Sequence, residues 1–262
     1  MPLYVVSTPI GNLEEASPRV CRVLQEVDLV LCEDTRRTRA LFAGLSLTAP
    51  KLVSCHVHNE ERRLGEIVDL LTQGTSIAMV SDAGAPGISD PGGFVVAAAH
   101  AAGIPVHVVG GPSSITSALS VSGLPATPFH FLGFLPRKPG QLAKAIEKAS
   151  QLEGTLVFLV AARRLGDVLS QLAQLMPDRE AVVCRELTKK FEQVVRGRLI
   201  DFPEVEERGE AVLIVGPGAD ISPEPAEVGP NLKTIAAALA ERWSCKKSEA
   251  YSVLVALEKE RT

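Results

Sequence analysis

Residues 80–93, VSDAGAPGISDPGG, set two carboxylates, Asp82 and Asp90, among four glycines and two prolines, directly after the apolar run Ser76–Val80. Glycine lets a backbone approach a ligand closely and offer it N–H and C=O groups, and Asp82 adds one carboxylate. That set suits a ligand with a ribose diol, an amino group and an adenine ring. It suits a triphosphate poorly, because the loop holds no Lys or Arg and the chain has no GxxxxGK[ST] pattern. A structural Ω-loop with a capping aspartate accounts for the same residues. Asp90 followed by Pro91 reads as an N-cap with proline in the first helical position, so a helix should start here.

Other chemistry-bearing residues are scattered. EDTRRTR (33–39) places Arg36, Arg37 and Arg39 in the first turns of a helix, where they oppose its dipole. Phosphate contact explains such placement, as does Asp–Arg pairing at the surface. HVHNE (56–60) puts His56 and His58 on one face of a strand, but no third and fourth ligand is in view, so no metal is expected. No GxSxG elbow occurs, and no cysteine sits in an electropositive motif, which leaves covalent catalysis without support.

The elements that must position these residues alternate. Strands are predicted at Leu3–Ser7, Asp28–Cys32, Leu52–Cys55, Ser76–Val80 and Val106–Val109, with helices at Pro18–Glu26, Arg36–Phe42, Asn59–Thr72 and Pro91–Ala102. This is the pattern of an α/β layer with a mostly parallel sheet, whose ligands gather beyond the carboxyl ends of the strands. Ser7–Asn12, Glu33–Arg36 and Gly110–Ser114 would open onto the same crevice as the 80–93 loop. After Gly110-Gly111-Pro112 the rhythm changes: strands at Phe129–Gly133, Thr155–Val160, Ala181–Cys184, Glu192–Arg198 and Ala211–Val215, and helices at Leu142–Ser150 and Leu165–Leu175, predict a mixed second sheet. The expected division is an N-terminal lobe over 1–112, a mixed α/β lobe over 113–218, and a linker with a helical hairpin (Leu232–Trp243 and Lys246–Glu258) over 219–262.

Composition narrows the function. A net charge of −4 and 4% aromatic residues exclude a polybasic or base-stacking nucleic-acid binder. Residues 131–200, however, hold 12 basic against 7 acidic groups, a local surplus that either faces phosphate or is a solvated surface. Five cysteines without a CxxC pair read as reduced core thiols, and MPLYVVSTPI lacks the basic start of a signal peptide, so a cytoplasmic location is expected. No apolar run approaches the ~18 residues that cross a bilayer.

In order along the chain, STPIGNLEEAS, CEDTRRTR, HNE, VSDAGAPGISDPG, GGPSS, GFLPRK, RELTKKFE and RGEAVLIV resemble the bacterial small-subunit ribosomal RNA methyltransferase I family, within the tetrapyrrole methylase superfamily. The resemblance runs from Leu3 to about Val215, and the C-terminal helices are similar to the helix-turn-helix-type appendix of the same proteins. It implies a two-lobed α/β methylase, usually a homodimer, that binds S-adenosylmethionine and methylates the 2′-hydroxyl of a cytidine in the decoding region of 16S rRNA within the small ribosomal subunit. By that similarity Pro9, Asp82, Ala83, Gly84, Ala85, Ser113, Ser114 and the backbone near Val160 and Ala161 line the cofactor. Arg36, Arg37, Arg137 and Lys138 are the expected phosphate contacts. The helical hairpin offers Lys246 and Lys247 to RNA, or serves as a stabilising cap.

Methyl transfer to a ribose hydroxyl needs a base. Asp34 and Glu60 are the preferred pair, with Glu33 and His58 behind them, although Asp34 could equally cap a helix. One departure stands out. The family's Tyr-Glu-Ser-Pro-His-Arg stretch is Leu159-Val160-Ala161-Ala162-Arg163-Arg164 here, so roles of its glutamate and histidine do not transfer. A methylase of tetrapyrroles or another small molecule, and a non-catalytic RNA-binding assembly factor, are the alternatives.

Overall fold

Four-residue strands that read Leu-Val-Leu-Cys and Ile-Ala-Met-Val, with every residue buried, need cover on both faces, and the computed structural model supplies it. It describes residues 1–218, 236, 237, 239, 240, 242 and 246–259. The chain divides into two compact units, Met1–Ala219 and Asp220–Thr262.

In the first unit β1 (Leu3–Val6), β2 (Leu29–Cys32), β3 (Lys51–Ser54), β4 (Ile77–Val80) and β5 (Val106–Val109) form a parallel sheet in the order β3-β2-β4-β1-β5. Side-chain alternation sorts each strand between two cores. Leu3, Leu29, Leu31, Ile77 and Met79 pack with Ile67 and Leu71 of α3 (Glu60–Thr72) and Val95 and Ala99 of α4 (Gly93–Ala101). Val6, Val30, Ala78 and Val80 pack on the other face with α1 (Pro18–Glu26) and Phe42 of α2 (Thr35–Gly44).

The second sheet runs β6-β7-β10-β8-β9, from β6 (Phe129–Phe134), β7 (Thr155–Ala161), β8 (Glu180–Arg185), β9 (Gln193–Arg198) and β10 (Glu210–Val215). Only the β6–β7 pair is parallel. One face is closed by α6 (Pro139–Ser150) and α7 (Leu165–Leu175), the other by α5 (Ser114–Ser122) together with Ile10 of the first-strand loop. The sequence pattern leaves α5 unassigned, because Ser, Thr and Ala alternate there with few large apolar residues.

Most predicted boundaries move by one to three residues, and two of these shifts bear on the site. The helix expected from Pro91 begins at Gly93, and the helix expected from Arg36 begins at Thr35, with Asp34 as its N-cap. In the second unit, α8 (Lys247–Lys259) is present, and Ala236, Ala240 and Ala250 pack together. The linker expected beyond residue 218 and most of the helix expected over Leu232–Trp243 lie outside the described residues.

Candidate active site

The carboxyl ends of β1, β2, β4 and β5 open onto a cavity of about 400 Å³, walled on its far side by β7, β10 and the segment after β8. From the first sheet come Ile10, Glu33, the loop Asp82–Ala85, Asp90, and Ser113–Ile115 at the start of α5. From the second come Phe134, Leu159, Glu186, Lys189 and Glu210. An open depression of about 660 Å³ adjoins it, sharing Glu33, Arg37 and Asp82 and adding Asp34, Arg36, His56 and His58.

The glycine-rich loop is held from outside. Thr8 and Gly84 exchange backbone hydrogen bonds (2.9 and 3.0 Å), and the Thr8 hydroxyl donates to the Ser81 carbonyl at 3.2 Å. The Gly87 N–H donates to the Pro91 carbonyl at 3.0 Å. Gly84 and Gly87 adopt φ of 79° and 80°, the left-handed conformation that favours glycine. Of the backbone groups that these two glycines could offer a ligand, the N–H groups are thus already engaged. The glycines are there to shape the turn.

The two carboxylates expected as general bases are engaged elsewhere. Glu60 is 4% exposed, and its Oε1 accepts the N–H groups of Gly92, Phe94 and Val95 at 3.0, 3.0 and 3.1 Å. It caps α4, a task that the sequence reading gave to Asp90. Asp34 caps α2 through the Arg36 N–H (2.8 Å) and grips the Arg36 side chain (2.8 and 3.2 Å). The Arg36 side-chain hydrogen bonds, then its backbone N–H, hold the Asp34 carboxyl well below the usual carboxylate range, which makes it a weak proton acceptor. Arg36 is thus paired, and Arg37 reaches Asp82 at 3.1 Å.

Other predicted residues divide. Asp82, Ala83, Gly84, Ala85, Ser113 and Ser114 line the cavity; Pro9, Val160 and Ala161 do not. Val160 is 2% exposed and packs in the α6–α7 core, whereas Leu159, one residue earlier, faces the cavity. A strand turns successive side chains to opposite faces, so at this point of β7 the Leu159 side chain meets the cavity, and any part played by Val160 and Ala161 falls to their backbone. Arg137 and Lys138 lie in neither hollow. Their turn is pinned by Arg164, the one residue of the 159–164 stretch that matches the family's motif, whose guanidinium donates to the carbonyls of Leu135 (3.0 Å) and Pro136 (2.5 Å). The rings of His56 and His58 lie edge to face at 5.9 Å, and among the described residues no group of three His, Cys, Asp or Glu could hold a metal ion.

Sequence reasoning overlooked Asp90, Glu186, Lys189 and Glu210 as cavity residues. Glu186 and Lys189 fall in the RELTKKFE segment, whose resemblance carried no role. Asp90 was legible only as a cap.

A family model described as Tetrapyrrole (Corrin/Porphyrin) Methylases matches residues 2–203. The chain belongs to this family. Ribosomal RNA small subunit methyltransferase I of Xylella fastidiosa is 45% identical over 225 residues, covering 83% of this chain and 82% of that protein. The protein of the same name from Halalkalibacterium halodurans is 42% identical over 227 residues, covering 85% and 78%. A uroporphyrin-III C-methyltransferase of Thermus thermophilus, solved in complex with S-adenosyl homocysteine, shares the fold, with a TM-score of 0.55 and 23% identity over 82% of this chain and 97% of that one.

As a tetrapyrrole methylase the protein is an S-adenosylmethionine-dependent methyltransferase, and its cavity fits that cofactor. Asp82 Oδ1 is buried without a hydrogen-bond partner, an acceptor awaiting a hydroxyl or amino group. Ile10, Ile115 and Leu159 provide apolar wall. Ser113 makes no side-chain cap to α5, so the first N–H groups of that helix are left for an anion such as a carboxylate. Carboxylates outnumber cations in the lining, which favours a sulfonium.

Proposed function

We propose that the protein methylates the 2′-hydroxyl of a cytidine in the decoding region of 16S rRNA, acting as a cytoplasmic homodimer on the small ribosomal subunit. The observation that carries this reading is the continuity of the cofactor cavity with an open depression bearing Arg36, Arg37, His56 and His58. An open approach at whose edge Arg36 and Arg37 stay exposed while paired with Asp34 and Asp82 admits one nucleotide of a long, phosphate-bearing chain. The names of the relatives at 42–45% identity point the same way. No described helix is long and apolar enough to cross a membrane.

When bound, S-adenosylmethionine supplies an electrophilic methyl group on a positively charged sulfur. The chain's own residues do the rest. Asp82 orients a donor group through its free oxygen, Ile10, Ile115 and Leu159 keep water out, and the Glu60-capped α4 holds the 82–92 loop in place. Arg36, Arg37, Arg137 and Lys138 contact phosphates, which positions the RNA without reading its sequence.

The test is transfer of labelled methyl to small subunits lacking the modification, with naked RNA and a tetrapyrrole precursor in parallel, and nucleoside mapping by mass spectrometry. A 2′-O-methylcytidine in the decoding region is expected. Transfer to the tetrapyrrole alone, or to a base instead of a ribose, overturns the reading.

A further inference from the structure

Asp90 precedes α4 and has the residue type of a cap, yet the helix starts three residues later because Glu60 of α3 accepts the N–H groups of Gly92, Phe94 and Val95. That substitution leaves the Asp90 carboxylate out of the helix cap and places it in the cavity wall. Around it stand Glu33 after β2, Asp82 after β4 and Glu210 of β10. The cations of the wall are already matched, Arg37 to Asp82 at 3.1 Å and Lys189 to Glu186 at 3.0 Å. Among the described residues, Asp90, Glu33 and Glu210 have no ion-pair partner.

Burial, then the charge of Glu33, pushes the Asp90 carboxyl up to about 6, with Asp82 and Glu210 adding to the rise and the Ser81 hydroxyl opposing it. A group poised there responds to any charge placed in the cavity, and a general base works best with its pKa near the operating pH. Asp34, held by Arg36 well below the usual carboxylate range, lacks that poise.

We infer that Asp90 is the proton acceptor of the methyl transfer: it sheds its proton when a sulfonium occupies the cavity and takes up the proton of the attacking hydroxyl as the positive charge is lost. The identity of the hydroxyl rests on the function proposed above; the proton release does not. In the step the oxygen–methyl bond forms while the methyl–sulfur bond breaks, the electron pair stays on sulfur, and the O–H proton passes to the Asp90 carboxylate. One positive and one negative charge disappear together, so no further reactant is needed. The same acidic wall binds the neutral thioether product less tightly than the cationic cofactor, which aids release.

Calorimetry of S-adenosylmethionine and S-adenosylhomocysteine binding near pH 6, in buffers of different ionisation enthalpy, reads the proton directly. The wild type is expected to release a fraction of a proton with the sulfonium and less with the thioether; Asp90→Asn is expected to release none beyond that common to both ligands. In single turnover at saturating cofactor, Asp90→Asn should lose about 10²–10⁴-fold in rate. Its cofactor affinity should stay within about tenfold, and Asp90→Glu should recover part of the rate with a shifted acidic limb. Thermal melting of each variant reports folding. Unchanged proton release in Asp90→Asn, or an unchanged rate and acidic limb, overturns the inference. A wild type that shows Asp90-dependent proton release yet methylates no RNA overturns the proposed substrate and supports the proton linkage.

Discussion

At the scale of single residues, Glu60 and Asp90 exchange the roles their sequence neighbourhoods suggest. Removing the Glu60 carboxylate strands three backbone N–H groups at the start of α4, two of them buried. Glu60→Ala should therefore cost about 3 kcal/mol in chemical denaturation, and Glu60→Gln, which keeps one acceptor oxygen, clearly less. Cofactor affinity should fall with it, because the same cap anchors the cavity loop. Asp90 predicts a pH signature of the opposite sign to most carboxylates. Its folded value of about 6 lies above the ~3.9 of an unfolded aspartate. Between those values the native state holds the extra proton, so this group's contribution to stability is lost as pH rises from about 4 through 6. Asp90→Asn should flatten the dependence of melting temperature on pH in that window. Asp34, depressed by Arg36, works the other way, with stability present above the unfolded value and lost on acidification.

At the scale of elements, β7 shows how alternation decides between packing and function. Val160 enters the α6–α7 core and Leu159 the cavity wall. Val160→Ala should cost about 2 kcal/mol of stability with little change in cofactor affinity. Leu159→Ala should mainly weaken cofactor binding, as titration of both variants would show. The helix α5 was hard to see in advance because its Ser- and Ala-rich sequence has small side chains. It is helical because Ala118 and Leu119 pack on the second sheet. The turn carrying Arg137 and Lys138 depends on Arg164, so Arg164→Ala should loosen it and weaken RNA binding. Loss of Arg137 or Lys138 themselves should reduce the salt dependence of binding by about one unit of slope each.

At the scale of the whole molecule, both sheets, the cavity between them and the depression beside it belong to the unit Met1–Ala219, and its cores are built from its own residues. A chain ending at Ala219 should therefore fold and keep cofactor affinity, as melting and binding measurements would show. A loss of methyl transfer to ribosomal subunits alone would then assign the C-terminal unit, with Lys246 and Lys247, to substrate recognition.

The sequence by itself determined the α/β alternation, the parallel first sheet and mixed second sheet, and the strand-end loops that gather at one cavity. These follow from local periodicity, from glycine and proline at turns, and from motif order, all of which are written along the chain. Tertiary structure alone decided which carboxylate caps and which stays free, which face of β7 meets the cavity, and that Arg164 supports the basic turn. Each depends on hydrogen bonds or packing between elements far apart in sequence, such as Glu60 with Gly92 and Arg164 with Leu135, and no local pattern encodes such a meeting.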